Sequence, residues 1–90
     1  MRLDVFLKAS RLIPRRSLAQ EFCDAGLVKV NGVTAKSSKE IKINDEIRIK
    51  RRNRDTTLLV VQVPDKKQVS KTGAGDLYRI LADEIIETND

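Results

Sequence analysis

Asn31-Gly32 sits between two alternating runs, Leu27-Val28-Lys29-Val30 before it and Val33-Thr34-Ala35-Lys36 after it. Asn-Gly flanked in this way is the strongest short-range signal for a β-hairpin, because the favoured two-residue turn needs positive φ at both central positions. Three further stretches read as strands: Ile41-Lys42-Ile43, Ile47-Arg48-Ile49 and Leu58 to Val63, with Asn44-Asp45 as the turn between the first two. The middle of the chain is therefore expected to form a small twisted sheet.

Two short helices are predicted ahead of the hairpin. Leu3, Phe6 and Leu7 fall at i, i+3, i+4 and define one apolar stripe on a helix over residues 2–10. Asp4 and Lys8, four apart, can pair on its exposed face. Pro14 suits the first turn of a helix and biases Ile13 toward an extended backbone, so a second helix should begin near residue 14 or 15. Its stripe is Leu18, Ala19, Phe22 and Cys23, and Gly26 can close it in the left-handed conformation. Beyond the sheet, Pro64 to Gly75 is polar and glycine-containing and reads as a flexible loop. Leu77, Ile80, Leu81 and Ile85 then share one face of a predicted third helix over residues 76–87, which would cap the core and lead into an acidic tail. The expected organisation is α+β, with a domain over 1–63, a loop over 64–75, and a helix and tail over 76–90.

Ninety residues suffice for one domain with a modest core, and with only Phe6, Phe22 and Tyr78 as aromatics that core must be largely aliphatic. Charge is unevenly spread. Residues 1–54 hold 14 Lys/Arg against 6 Asp/Glu, whereas residues 55–90 hold 4 against 7. Arg2, Lys8, Arg11, Arg15 and Arg16 lie largely off the apolar stripes, which suits a polyanionic partner, although basic surface also serves solubility alone. Arg15 and Arg16 stand at the positive end of the second helix dipole, where acidic side chains are preferred. A bound phosphate would reverse that conflict by drawing free N–H groups and two guanidiniums onto one anion; otherwise both fan into solvent. The run Lys50-Arg51-Arg52-Asn53-Arg54 reads equally as a second phosphate contact or as a solvated hairpin tip.

Histidine is absent, which excludes zinc sites of the usual type and His-based catalysis. The single cysteine, Cys23, lies on an apolar stripe and reads as a core residue rather than a nucleophile. No apolar h-region or membrane-length stretch is present, so a cytoplasmic location is expected, with no membrane partner.

Taken in order, Arg2-Leu3-Asp4 with Phe6-Leu7, Arg15-Arg16-Ser17-Leu18-Ala19, Gly26 with Val28 to Gly32, Lys36-Ser37-Ser38 and Asn44-Asp45-Glu46-Ile47 resemble the S4 RNA-binding domain. Lys39 departs from a frequent proline and Asn44 from a frequent glycine. The resemblance covers residues 1–50 and implies the S4-type (αL motif) fold, with two N-terminal helices packed on a mainly antiparallel sheet. Lys8, Ser10 to Ile13, Leu59 to Val63 and Tyr78 to Leu81 extend the likeness to the stand-alone S4 proteins of ribosome-associated quality control. A heat-shock ribosome-recycling branch shares the core but carries a long basic C-terminal extension.

That likeness implies a non-catalytic, ribosome-associated role with no cofactor, metal or small-molecule substrate. Its partners would be large-subunit rRNA, P-site peptidyl-tRNA and RqcH, which directs untemplated alanine addition to stalled chains; the protein itself would be a monomer. Arg2 and Arg16 would grip RNA, Asp4 would orient them or accept a hydrogen bond from RNA, and Lys8, Arg11, Arg15 and Lys36 would add backbone contacts. Scarce aromatics argue against stacking platforms for single strands. A helix-turn-helix DNA binder fits less well, because charge clusters at the start of the second helix and continues into a hairpin. An enzyme fits poorly too: about 40 residues beyond the 50-residue module are too few for a catalytic domain.

Overall fold

The structure, a computed structural model, describes residues 1–64 and 71–86. Two helices, α1 (Leu3–Ala9) and α2 (Arg16–Asp24), precede strands β1 (Val28–Val30), β2 (Val33–Thr34), β3 (Glu46–Lys50) and β4 (Arg54–Val60). A short helix α3 (Lys71–Ala74) and a 3-10 turn (Gly75–Leu77) then lead into β5 (Tyr78–Ile85). The five strands form one antiparallel sheet in the order β2-β1-β3-β4-β5.

The predicted turn chemistry is realised at both ends of β1. Asn31 and Gly32 adopt φ of 51° and 83°, which sets Val30 opposite Val33 and Lys29 opposite Thr34. Gly26, at φ 75°, ends α2, with its N–H on the Cys23 carbonyl and the Leu27 N–H on the Phe22 carbonyl, both at 3.0 Å. This pair of bonds is the Schellman termination, and it sends the chain from the helix directly into β1.

Alternation along β1 and β3 turns Val28, Val30, Ile47 and Ile49 inward and Lys29, Arg48 and Lys50 outward. Leu3, Phe6 and Leu7 of α1 and Ala19 and Cys23 of α2 join the core over the inner face, together with Ile13 and Ile41. Each fully buried Leu, Ile, Val or Phe side chain among them contributes about 1.5–3 kcal/mol through removal of apolar surface from water. Burial pushes the Cys23 thiol up to about 11, helped by the charges of Asp4 and Asp24, so it stays protonated in the core at neutral pH.

Helix α1 lies deeper than one stripe implies. Asp4, Val5 and Ala9 are buried as well, and within the helix only Lys8 is exposed. The segment from Lys36 to Ile41 accounts for part of this by crossing the start of the helix. The Leu3 N–H donates to the Lys39 carbonyl (2.7 Å), the Asp4 N–H to the Ser37 carbonyl (3.1 Å), and the Ile41 N–H to the Met1 carbonyl (2.9 Å). Amides left without partners in the first helical turn are thus satisfied by a segment over thirty residues away.

Three expectations are corrected. Residues 41–43 form no strand: Ile41 is buried and Ile43 exposed, but the only bridge here joins Arg2 to Glu40. Backbone bonding is diverted into a turn, in which the Lys42 N–H donates to Asp45 Oδ2 (2.9 Å), the Asp45 N–H donates to the Lys42 carbonyl (3.1 Å), and Asn44 takes φ 75°. Strand β4 begins at Arg54 rather than Leu58, because it pairs along the whole of β3, from Lys50–Asp55 to Glu46–Leu59.

The largest correction is at the C-terminal end, where the predicted helix over 76–87 is instead β5, paired with β4 from Val60–Tyr78 to Arg54–Ile85. Leu58 pairs with Ile80 and Thr57 with Ala82, so Leu81 is an extra residue at a bulge. That insertion breaks the two-residue period and leaves apolar positions at a spacing that imitates a helix. The strand completes the domain's own sheet, so residues 78–85 are not a separate unit. Part of the expected loop is α3; residues 65–70 and the acidic tail over 87–90 lie outside the described residues. No helix among the described residues is long and apolar enough to cross a membrane.

Candidate nucleic-acid interface

Asp4 occupies the first turn of α1 with none of its surface exposed. Three side chains converge on its carboxylate. Arg16 Nε donates to Oδ2 at 3.1 Å, Gln20 Nε2 to the same oxygen at 2.9 Å, and Arg2 lies with Nε 3.2 Å from Oδ1 and Nη2 3.4 Å from Oδ2. The Val5 N–H adds a bond to Oδ1 at 2.8 Å. Burial alone would push this carboxyl up; the bonds from Gln20, Arg16 and Val5 and the charge of Arg16 outweigh it and hold the group below its ordinary value. Asp4 is therefore ionised at neutral pH and anchors two cations.

Both anchored arginines remain about half exposed, Arg2 at 45 % and Arg16 at 42 % of the side chain. Arg16 meets Asp4 through Nε, and much of its guanidinium side chain stays open to solvent. Two guanidiniums fixed against one buried anion carry a net positive charge in a set pose, which suits recognition of phosphate oxygens by planar donors. Among the described residues, every buried side-chain nitrogen and oxygen has a hydrogen-bond partner.

The remaining sequence-predicted residues lie on the elements that flank this centre. Lys36 is exposed and opens the turn whose Ser37 and Lys39 carbonyls hold the start of α1. Lys8 is exposed on α1, Arg11 follows that helix at φ 59°, and Arg15 is exposed at the position preceding α2. The expected pairing of Asp4 with Lys8 does not form, because Asp4 turns into the protein toward α2. The expectation that the start of α2 lacks its counter-charge also needs correction. The first turn of α2 contains no acid and no side-chain cap, but Asp4 of α1 supplies the counter-charge to Arg16 across the helix pair.

Gln20 was not anticipated from the sequence. Its signal was present as the i, i+4 spacing from Arg16, which sets both side chains on one face of α2. The basic run at the β3–β4 turn is more committed than it reads. Arg51 donates Nη2 to the Leu12 carbonyl (2.9 Å) and Nη1 to Thr56 Oγ1 (3.4 Å), while Arg54 makes a two-pronged pair with Asp83 at 2.9 and 2.7 Å. These two arginines tie the turn to the α1–α2 loop and to β5.

The family description S4 domain matches residues 1–47, over which the two helices, the hairpin and the Asp4 cluster lie. The chain belongs to the S4 family. Among relatives, the RQC P-site tRNA stabilizing factor of Streptococcus pneumoniae is 43% identical over 90 residues, covering 99% of each chain. The protein of the same name from Bacillus subtilis is 44% identical over 85 residues, covering 93% of this chain and 95% of its own. Among solved structures, the trimeric structure of Vibrio cholerae Heat Shock Protein 15 superposes with a TM-score of 0.81 at 32% identity, covering 91% of this chain and 82% of that one. The S4 fold expected from the helix, hairpin and turn residues is thus present, with β5 in place of the C-terminal helix.

Proposed function

We propose that this S4 protein is a non-enzymatic RNA-binding factor of ribosome-associated quality control, engaging large-subunit rRNA and P-site peptidyl-tRNA on stalled subunits. The observation that carries the reading is the fixing of Arg2 and Arg16 on one buried carboxylate with their outer halves exposed. Structured RNA is recognised mostly by shape and backbone, and rigid guanidiniums at set spacing serve that mode. Near-full-length similarity to proteins named for stabilising P-site tRNA supports the assignment to quality control. Arg2 and Arg16 contact phosphates, and Asp4, having no exposed surface, orients them rather than meeting RNA itself. Lys8, Arg11, Arg15 and Lys36 add backbone contacts around them. The protein acts as a monomer in the cytoplasm beside RqcH while alanine is added to the stalled chain.

Cosedimentation with purified large subunits tests this reading. Arg2→Glu or Arg16→Glu should weaken binding at least tenfold, and each lost phosphate contact should lower the slope of log affinity against log salt by roughly 0.7–0.9. An unchanged slope would remove that arginine from the interface. The likeness to Heat Shock Protein 15 favours large-subunit recycling as a second reading. Tagged protein recovered on subunits bearing peptidyl-tRNA, RqcH and alanine-tailed chains supports quality control; recovery without RqcH or tails supports recycling. Association with intact small subunits would refute both.

A further inference from the structure

The face of the sheet turned away from the helices carries a second cationic cluster. Lys29 of β1 and Arg48 of β3 are paired in register, and Lys50 follows on the same outward face of β3. Together with Gly26 and Leu27 they line a cavity of about 160 Å³. Gly26 stands at its rim with no atom within 4 Å of where a Cβ would be, so the approach there is open.

Arg48 is held as Arg16 is held. Asp55 of β4, itself almost buried, takes Nε of Arg48 at 3.0 Å and also bonds Nη2, so the Nη1 edge is directed away from the carboxylate. Arg48 nevertheless keeps 53 % of its side chain exposed. The fields of Lys50 and Lys29 also act on Asp55, which places three cations around one anion. Two further acids share this face: Glu46 at the far end of β3, and Glu84 opposite Asp55 on β5, whose charge also acts on Arg48 from the side away from β1. Positive charge is therefore concentrated at the β1–β3 end, beside the cavity.

We propose that this cavity is a second RNA-backbone site, in which Lys29, Arg48 and Lys50 hold a phosphate, so that the domain joins two RNA segments lying against opposite faces. The inference rests on the RNA-binding reading above and extends it from one surface to two. One fixed guanidinium flanked by two flexible ammonium groups, with no aromatic in the lining, suits a phosphodiester better than an apolar peptide anchor. Phosphate contacts of this kind position an RNA without reading its sequence.

The test uses the full chain, purified large subunits as one partner and fluorescently labelled bulk tRNA as the probe for the other, with the two affinities measured separately. Lys29→Glu/Lys50→Glu alters two exposed surface lysines and leaves the Arg48–Asp55 pair intact; Lys29→Gln/Lys50→Gln provides a milder companion, and thermal melts check that both fold. The proposal expects the doubly reversed variant to lose one RNA partner at least tenfold while holding the other within twofold, the neutral variant to show a smaller loss of the same partner, and Arg16→Glu to show the opposite selectivity. Equal weakening of both partners by Lys29→Glu/Lys50→Glu would mean one continuous surface and would overturn it, as would no weakening of either. Loss that persists after the RNA of the subunits is digested would assign the face to an acidic protein instead, which also overturns it. If Arg16→Glu retains both partners while the lysine variant loses one, the helix-side reading fails and the sheet-side site stands.

Discussion

Asp4 and Asp55 hold arginines by similar chemistry in different surroundings. Asp4 has no exposed surface, sits inside the helix pair, and accepts from Arg16, Gln20 and Arg2 as well as from a neighbouring amide. Asp55, on the outer face of the sheet, keeps only 8 % of its surface exposed and is held by the half-exposed Arg48 through a two-pronged pair. For Asp55 the hydrogen bonds of Arg48 lower the carboxyl's proton affinity first, burial opposes them, and the charges of Arg48, Lys50 and Lys29 lower it further. For Asp4 burial is the largest influence and several donors together overcome it. A carboxylate this deep is tolerated only when multiple donors are already in place, so Asp4 acts as a joint between the start of α1 and the start of α2. Asp55 is a local cross-strand fastening.

Removing the carboxylates in turn should separate the two roles. Asp4→Ala is expected to have the largest effect, a loss of about 3 kcal/mol by urea denaturation, at the lower end for a broken buried pair because both arginines reach water. It should also abolish large-subunit binding under conditions where the variant remains folded; an effect on stability alone would separate the joint from the interface. Next in size is acid sensitivity. Both carboxyls lie below their ordinary range when folded, so each stabilises the protein above about pH 4, the unfolded value, and that contribution is lost as pH falls through the native value. Asp4→Asn should flatten the fall in stability below about pH 4, and Asp55→Asn should flatten it less; equal flattening would make the two carboxylates equivalent fastenings.

Asp55→Asn itself should lower the urea midpoint by less than half as much as Asp4→Ala, since Arg48 can rehydrate at an exposed site. The smallest change is expected from Asp83→Ala. Asp83 of β5 binds Arg54 and Thr56 at the edge of the sheet. Its removal should leave the melting midpoint nearly unchanged and speed amide exchange in β5 several-fold relative to β3, because local opening at a sheet edge responds before global unfolding. Uniform acceleration across the sheet would instead make β5 part of the central cooperative unit.

Legibility in the sequence followed locality. Asn31-Gly32 and Gly26 announced their turns because positive φ is a demand each residue meets by itself. Alternation in β3 likewise announced which residues face the core. The i, i+4 pair Asp4 and Lys8 misled for the complementary reason: spacing shows which side chains are near one another on a helix, but not which face a second helix will cover. The stretch around Leu81 misled because one bulged residue disguised a strand as a helix. Arg2, Asp4 and Arg16 were recognisable as a set from the family pattern; Gln20 shared a helix face with Arg16 by spacing, but its bond to Asp4, like those of the Ser37 and Lys39 carbonyls to α1, arose only when the segments met.

What the sequence by itself determined is the succession of helix, helix and hairpin, the place where α2 stops, and the inward rows of β1 and β3, all set by dihedral preference and periodicity within a few residues. Tertiary structure alone decided that Asp4 is buried, that it serves as counter-charge to a residue twelve positions away, and that residues 78–85 are a strand. Burial of a charge depends on donors that distant segments bring to it. An edge strand depends on a neighbour with unpaired backbone, here β4, whose residues pair with β5 across 18 to 31 positions of the chain.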